Sequence, residues 1–311
     1  MNKNIITSSL ILLASLLSLL NMNAQEYMPL WPDGKMPNSQ GKTPERIEAR
    51  ERVTQIDVPG MYVYLTARDV NTRGAVLICP SGGYQKLTYK TSGMQIAKWL
   101  NTLGINAFVL MYRLPNSPDL RVSYEGPVQD AQRAMKLIRA HADQWEIDAN
   151  NLGVFGSSAG GHLATTICTI ADDFSNIGDS LDAKNFRPDF QILVSPVVSL
   201  VKDYHKGSRL TFLGDRDSEE LAERFSNERN VTDETPPCFL VHADNDHGVS
   251  PMNSVRYYTA LNAHNIPASL HIFPYGGHGI GIRNNPGSTQ QWPVLCEAWL
   301  KEMGFLKPVS K

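Results

Sequence analysis

Cysteine is scarce in this chain: four residues in 311, at Cys79, Cys168, Cys238 and Cys296. Their spacings match no zinc-binding pattern. Each lies in an apolar stretch with strand-like or helix-like character, so buried free thiols are expected rather than a disulfide framework. Long basic runs are missing too, and the formal charge is only −2, which excludes a nucleic-acid surface. There is no internal repeat and no low-complexity tract. An apolar stretch of the ~20 residues that would cross a bilayer is also lacking. The nearest candidate, residues 5–20, follows Lys3 and ends before Asn21-Met22-Asn23-Ala24. It reads as a signal peptide, residues 1–24, cleaved after Ala24. A secreted or periplasmic protein follows, with no stable membrane association after cleavage.

The remaining composition is that of a globular protein, with 42% hydrophobic and 19% charged residues. Residues 25–50 are polar and contain proline, and read as an N-terminal arm. Residues 51–311 form the main domain. Strand-like runs are expected at 52–59, 61–66, 75–79, 105–111, 152–155, 190–194, 238–242 and 269–273. Helical spacing is expected at 91–103, 128–141, 251–264 and 289–303. Alternation of this kind argues for an α/β domain: a mainly parallel central sheet flanked by helices. Two stretches, 172–188 and 202–237, interrupt it. Both are candidates for small cap insertions near the carboxyl ends of the strands, where ligands bind in open sheets.

The most specific motif is Gly156-Ser157-Ser158-Ala159-Gly160. An apolar run precedes it and a helical run follows, so G-x-S-x-G stands in the strand–turn–helix setting of a nucleophile elbow. Ser158 is the candidate nucleophile. A serine nucleophile needs a base, and the base needs an acid to fix its tautomer. In α/β-hydrolases these follow the serine in the order acid, then histidine. His141, His162, His205 and His242 come too early to satisfy it. His278, in Tyr275-Gly276-Gly277-His278-Gly279, lies in a glycine-rich loop directly after the last expected strand. The acid falls in the loop after 238–242, where Asp246 is preferred to Asp244, the latter shaping the turn. An oxyanion hole is expected from the Ala159 N–H and a second N–H in Pro80-Ser81-Gly82-Gly83-Tyr84, from Gly83 or Tyr84. In that loop Gly82 and Tyr84 are also expected to touch the substrate, with the Tyr84 ring narrowing the acyl pocket in favour of acetyl.

These stretches, with Tyr112-Arg113-Leu114-Pro115, Thr235-Pro236-Pro237 and Phe273-Pro274, resemble the secreted α/β-hydrolase esterases of the feruloyl and acetylxylan esterase-like group. The resemblance spans about residues 26–305. It implies the α/β-hydrolase fold, the triad Ser158, Asp246 and His278, and a brace role for Arg113. It implies ester hydrolysis through an acyl-serine, with no cofactor and no metal. The expected substrate is a small-molecule or oligosaccharide ester, first of all an acetylated plant polysaccharide. Feruloyl esters, other short-chain esters, a prolyl-oligopeptidase-type peptidase and a non-catalytic carbohydrate-binding protein are the alternatives. The chain departs from the group at Ser81, often a glycine, and at Thr91-Ser92.

Overall fold

The run Ala75–Cys79 is apolar and β-branched, and every residue of it is buried. A strand of this kind survives only with both faces covered. Here it is β5, in an eight-stranded sheet of order β1-β4-β6-β5-β7-β8-β9-β10. The computed structural model describes residues 26–308; the expected signal peptide, 1–24, lies outside them. The other strands of the sheet are β1 (Tyr27–Pro29), β4 (Gly60–Tyr64), β6 (Asn106–Met111), β7 (Leu152–Ser157), β8 (Gln191–Val194), β9 (Cys238–Ala243) and β10 (Ala268–Phe273). β1 and β4 pair antiparallel, as do β4 and β6, and from β6 to β10 every pairing is parallel. A separate antiparallel ribbon joins β2 (Ile47–Ala49) to β3 (Arg52–Gln55).

Seven α-helices accompany the described strands: α1 (Gln95–Thr102), α2 (Glu125–Ala140), α3 (Ala159–Thr169), α4 (Lys206–Leu213), α5 (Glu219–Arg224), α6 (Met252–Ala263) and α7 (Trp292–Glu302). The expected helix at 91–103 begins as a π-turn at Lys90–Met94 before α1 takes over. α1 meets α7 through Trp99 and Trp292, whose rings lie 5.4 Å apart. All four cysteines are buried and free, as expected.

The arm is more than an extension. Its first residues are the edge strand β1, and Trp31 donates from Nε1 to Asp130 Oδ1 at 2.8 Å. The Trp31 ring also lies 5.8 Å from the Arg113 guanidinium and 5.1 Å from that of Arg133. Arg113 forms a buried pair with Asp130 and donates to the Pro37 carbonyl, so this brace ties the arm to α2.

The two insertions part company. Residues 172–188 follow α3 rather than a strand. They therefore sit at the amino edge of the sheet, held to α2 by Arg133–Asp179 and Lys136–Asp173. They form no cap. Residues 202–237 follow β8 at the carboxyl edge and carry α4 and α5. Because β5 and β7 to β10 run in one direction, the segments that follow β5, β7, β8, β9 and β10 share this edge.

Candidate active site

Ser158 sits between β7 and α3 with φ 53° and ψ −124°. A non-glycine residue persists in that region only where its surroundings over-determine it. Here its amide donates to Val194 O, and its carbonyl accepts from Gly161, His162 and Val197. A Cβ on Gly160 would fall 2.1 Å from Cys79 O and 2.7 Å from Pro80 O. The glycine thus lets the start of α3 close onto the end of β5. The hydroxyl is left projecting at the positive end of α3.

The loops after β9 and β10 bring the other two sequence-predicted groups to it. His278 Nε2 lies 2.8 Å from Ser158 Oγ, and His278 Nδ1 lies 2.7 Å from Asp246 Oδ2. A carboxylate oxygen accepts, so Nδ1 carries the proton and Nε2 is free to accept from Ser158. Asp246 Oδ1 accepts from the Gly248 and Val249 amides at 2.8 and 2.9 Å. Burial opposes the charge on Asp246, but hydrogen bonds from His242 and His278 and the Val249 amide outweigh it. The carboxyl is held well below the usual carboxylate range. Asp244 is exposed and reaches no partner with its carboxylate among the described residues. The turn is instead shaped by Asn245, whose Oδ1 accepts from the Gly277 amide.

The loop after β5 is fixed from several sides. Ser81, Thr88 and Ser92 hydroxyls bond one another at 2.6 to 3.2 Å, and the Ser81 amide donates to Ser92 Oγ. Tyr112 donates to Pro80 O. Gly82, at φ 137°, passes so close to Lys86 that a Cβ would lie 1.9 Å from its carbonyl oxygen. The amides of Gly82, Gly83, Tyr84 and Ala159 have no protein acceptor among the described residues.

One expectation fails here. The Tyr84 side chain is fully buried, its hydroxyl 2.8 Å from His162 Nδ1 and its ring 4.8 Å from that of Phe212. It therefore contacts no substrate and does not narrow an acyl pocket. Gly82 is half-buried, and its lack of a Cβ serves the turn against Lys86. His162 holds Tyr84 by donating from Nε2 to Phe225 O at 2.8 Å, which leaves Nδ1 to accept. Burial pushes the His162 imidazole down to about 4, against the carbonyl bond that raises it.

A cavity of about 310 Å³ opens beside Ser158 and His278. Ile96, Phe155, Ile280 and Trp292 give it apolar walls, and Ser81, Ser92 and Ser195 also line it. Its volume is at the small end for ligand pockets. No Asp or Glu lines it. Among the described residues no three His, Cys, Asp or Glu side chains are grouped to hold a metal ion. Sequence reasoning missed His242, which lies 3.2 Å from Asp246 Oδ2. The only signal for it was a histidine four residues before the acid, at the end of a strand.

The profile of one protein family, BD-FAE, matches residues 61–261. The chain belongs to the BD-FAE family. Its fold is the α/β-hydrolase fold. This BD-FAE protein is 33% identical to the crystal structure of an acetyl ester-xyloside bifunctional hydrolase from Caldicellulosiruptor lactoaceticus, with a TM-score of 0.78 over 91% of this chain and 98% of that one. It is 34% identical to an acetylxylan esterase of Xylanibacter ruminicola over 67% of this chain and 41% of the relative. It is 32% identical to endo-1,4-beta-xylanase B of Butyrivibrio fibrisolvens over 73% of this chain and 35% of the relative. The BD-FAE chain thus spans well under half the length of these two curated relatives.

Proposed function

We propose that this protein is a secreted serine carboxylesterase that removes acetyl groups from xylan-type polysaccharides or their oligosaccharides. One observation carries the reading: His278 bridges Ser158 at 2.8 Å and Asp246 at 2.7 Å. Ser158 Oγ attacks the ester carbonyl while His278 Nε2 takes its proton. Asp246 holds the imidazole by Nδ1 and balances the imidazolium that forms. The tetrahedral oxyanion is received by the Ala159 N–H and an N–H of the loop after β5, that of Gly83 or Tyr84. His278 returns the proton to the departing sugar hydroxyl, leaving an acyl-Ser158. A water molecule then repeats the sequence and frees the acid.

The names of the relatives include xylan deacetylation and xylan cleavage. Glycoside hydrolysis by the usual route needs two carboxyl groups about 5–9.5 Å apart across the scissile bond. At this site Asp246 is committed to His278 and two amides, and the cavity wall supplies no other carboxyl group. The geometry supports ester rather than glycoside chemistry. The small volume of the cavity supports a short acyl group rather than a feruloyl group. Export rests on the N-terminal sequence, and the first residue of the exported protein would be Gln25.

The test is a pre-steady-state assay with 4-nitrophenyl acetate, followed by acetate release from acetylated xylan, pectin and mannan, with feruloyl esters in parallel. A nitrophenol burst stoichiometric with Ser158, and preferential acetate release from xylan, is expected. Faster turnover of feruloyl esters would overturn the acetyl reading. Absence of a burst together with activity in Ser158→Ala would overturn the serine mechanism.

A further inference from the structure

His242 is completely buried at the carboxyl end of β9, four residues before Asp246. Its Nε2 lies 3.0 Å from Val249 O and 3.2 Å from Asp246 Oδ2, and its Nδ1 lies 2.8 Å from Ser254 Oγ on α6. A carbonyl can only accept, so Nε2 carries a proton whatever the state of Nδ1. That single N–H is bonded to the Val249 carbonyl and lies beside the Asp246 carboxylate. The residue whose carbonyl it holds, Val249, also donates its own amide to Asp246 Oδ1 at 2.9 Å.

We infer that His242 is a positioning residue for hydrolysis, which fixes the carboxylate plane of Asp246 and supplies its fourth N–H donor. The inference rests on the reading of Asp246 as the triad acid. A carboxylate buried away from water needs its lone pairs filled by fixed donors. The Gly248 and Val249 amides fill Oδ1, and His278 takes one direction of Oδ2. Without His242 the second direction of Oδ2 is empty and the Val249 carbonyl loses its donor. The carboxylate is then held by three donors instead of four, and the acceptor of the His278 Nδ1–H is less firmly fixed. The chain Ser254–His242–Asp246–His278–Ser158 extends the constellation to five side chains, with Ser254 orienting the ring of His242 from α6.

Two amide variants test it. The side-chain NH2 of His242→Gln reaches the place of Nε2, whereas that of His242→Asn reaches only the place of Nδ1. His242→Gln is expected to keep kcat within about threefold, and His242→Asn to lose about 10- to 100-fold with KM little changed, the usual scale for removing a buried donor to a charged group. Equal kcat in the two folded variants overturns the inference. If Asp246→Asn is crippled in the same assay, the Ser158–His278–Asp246 reading still stands; full activity of Asp246→Asn sinks that reading instead. Should neither His242 variant fold, protein labelled with 15N-histidine decides. The Nε2–H signal of His242 is expected to move when Asp246 is changed to Asn, and an unmoved signal or a bare Nε2 overturns the inference.

Discussion

Tyr84 and His162 are joined by a 2.8 Å hydrogen bond that ties the loop after β5 to the helix begun by Ser158. His162 lies one turn beyond Ser158, and its other nitrogen reaches Phe225 beyond α5. One imidazole therefore joins the loop after β5, helix α3 and the segment that follows α5. The loop amides and the serine hydroxyl are set relative to each other by buried contacts, before any ester arrives.

That bond gives the first expectation. Tyr84→Phe keeps the ring but leaves His162 Nδ1 without its donor, at a cost of ~1–3 kcal/mol of stability. Since the phenol is remote from the cavity, the ratio of kcat/KM for acetyl over butyryl esters should change by less than about twofold. Denaturant unfolding and a two-ester assay measure both. A marked shift toward longer acyl chains would put Tyr84 back in the pocket.

His162 also makes stability depend on pH. Its imidazole is pushed down to about 4 in the fold, against ~6.5 in the unfolded chain. Below pH ~6.5 the unfolded state takes up a proton that the native state refuses. The contribution is whole above that pH and is lost as pH falls toward ~4, by about 3 kcal/mol at most. Unfolding free energies at pH 7 and 4.5 should differ accordingly, with a smaller difference in His162→Gln. Equal slopes in the two proteins would refute the assignment.

Ser158→Ala should lower kcat by at least ~10⁴. The position starts a helix and tolerates alanine, so circular dichroism and Tm should stay near those of the parent. More than about a tenth of the activity remaining would rule out Ser158 as nucleophile.

The two acids of the loop after β9 should separate cleanly. Asp246→Asn turns a held carboxylate into an amide that favours the wrong histidine tautomer, for a loss on the order of 10³–10⁴ in kcat. Asp244 is exposed and its carboxylate has no partner among the described residues, so Asp244→Asn should be nearly silent. The reverse ranking would transfer the role.

Much of this was legible in the sequence because it is local. The apolar run at 75–79 announces β5, the glycines around Ser158 announce the elbow, and Gly276 and Gly277 announce a loop free to present His278. Chain order then singled out the histidine. Expectations failed where the decisive neighbour was far away in sequence. Tyr84 looked like a pocket residue, but Phe212 and His162 bury it. Residues 172–188 looked like a cap by their polar composition, but the helix Ala159–Thr169 carries the chain back to the amino edge of the sheet before they begin. The arm hid β1, since three residues beside Gly60–Tyr64 carry no periodic signal. His242 was set aside by its place in chain order, a rule about the proton acceptor that says nothing of what supports the acid.

The four unpaired cysteines lie on four different elements: at the end of β5, in α3, at the start of β9 and in α7. Burial pushes every one of these thiols up, so an alkylating reagent meets neither access nor thiolate in the native state. Each becomes reactive only when its own element opens. The molecule thus carries four internal clocks, and the order in which they are labelled under mild denaturant reads out which layer of the sheet lets go first.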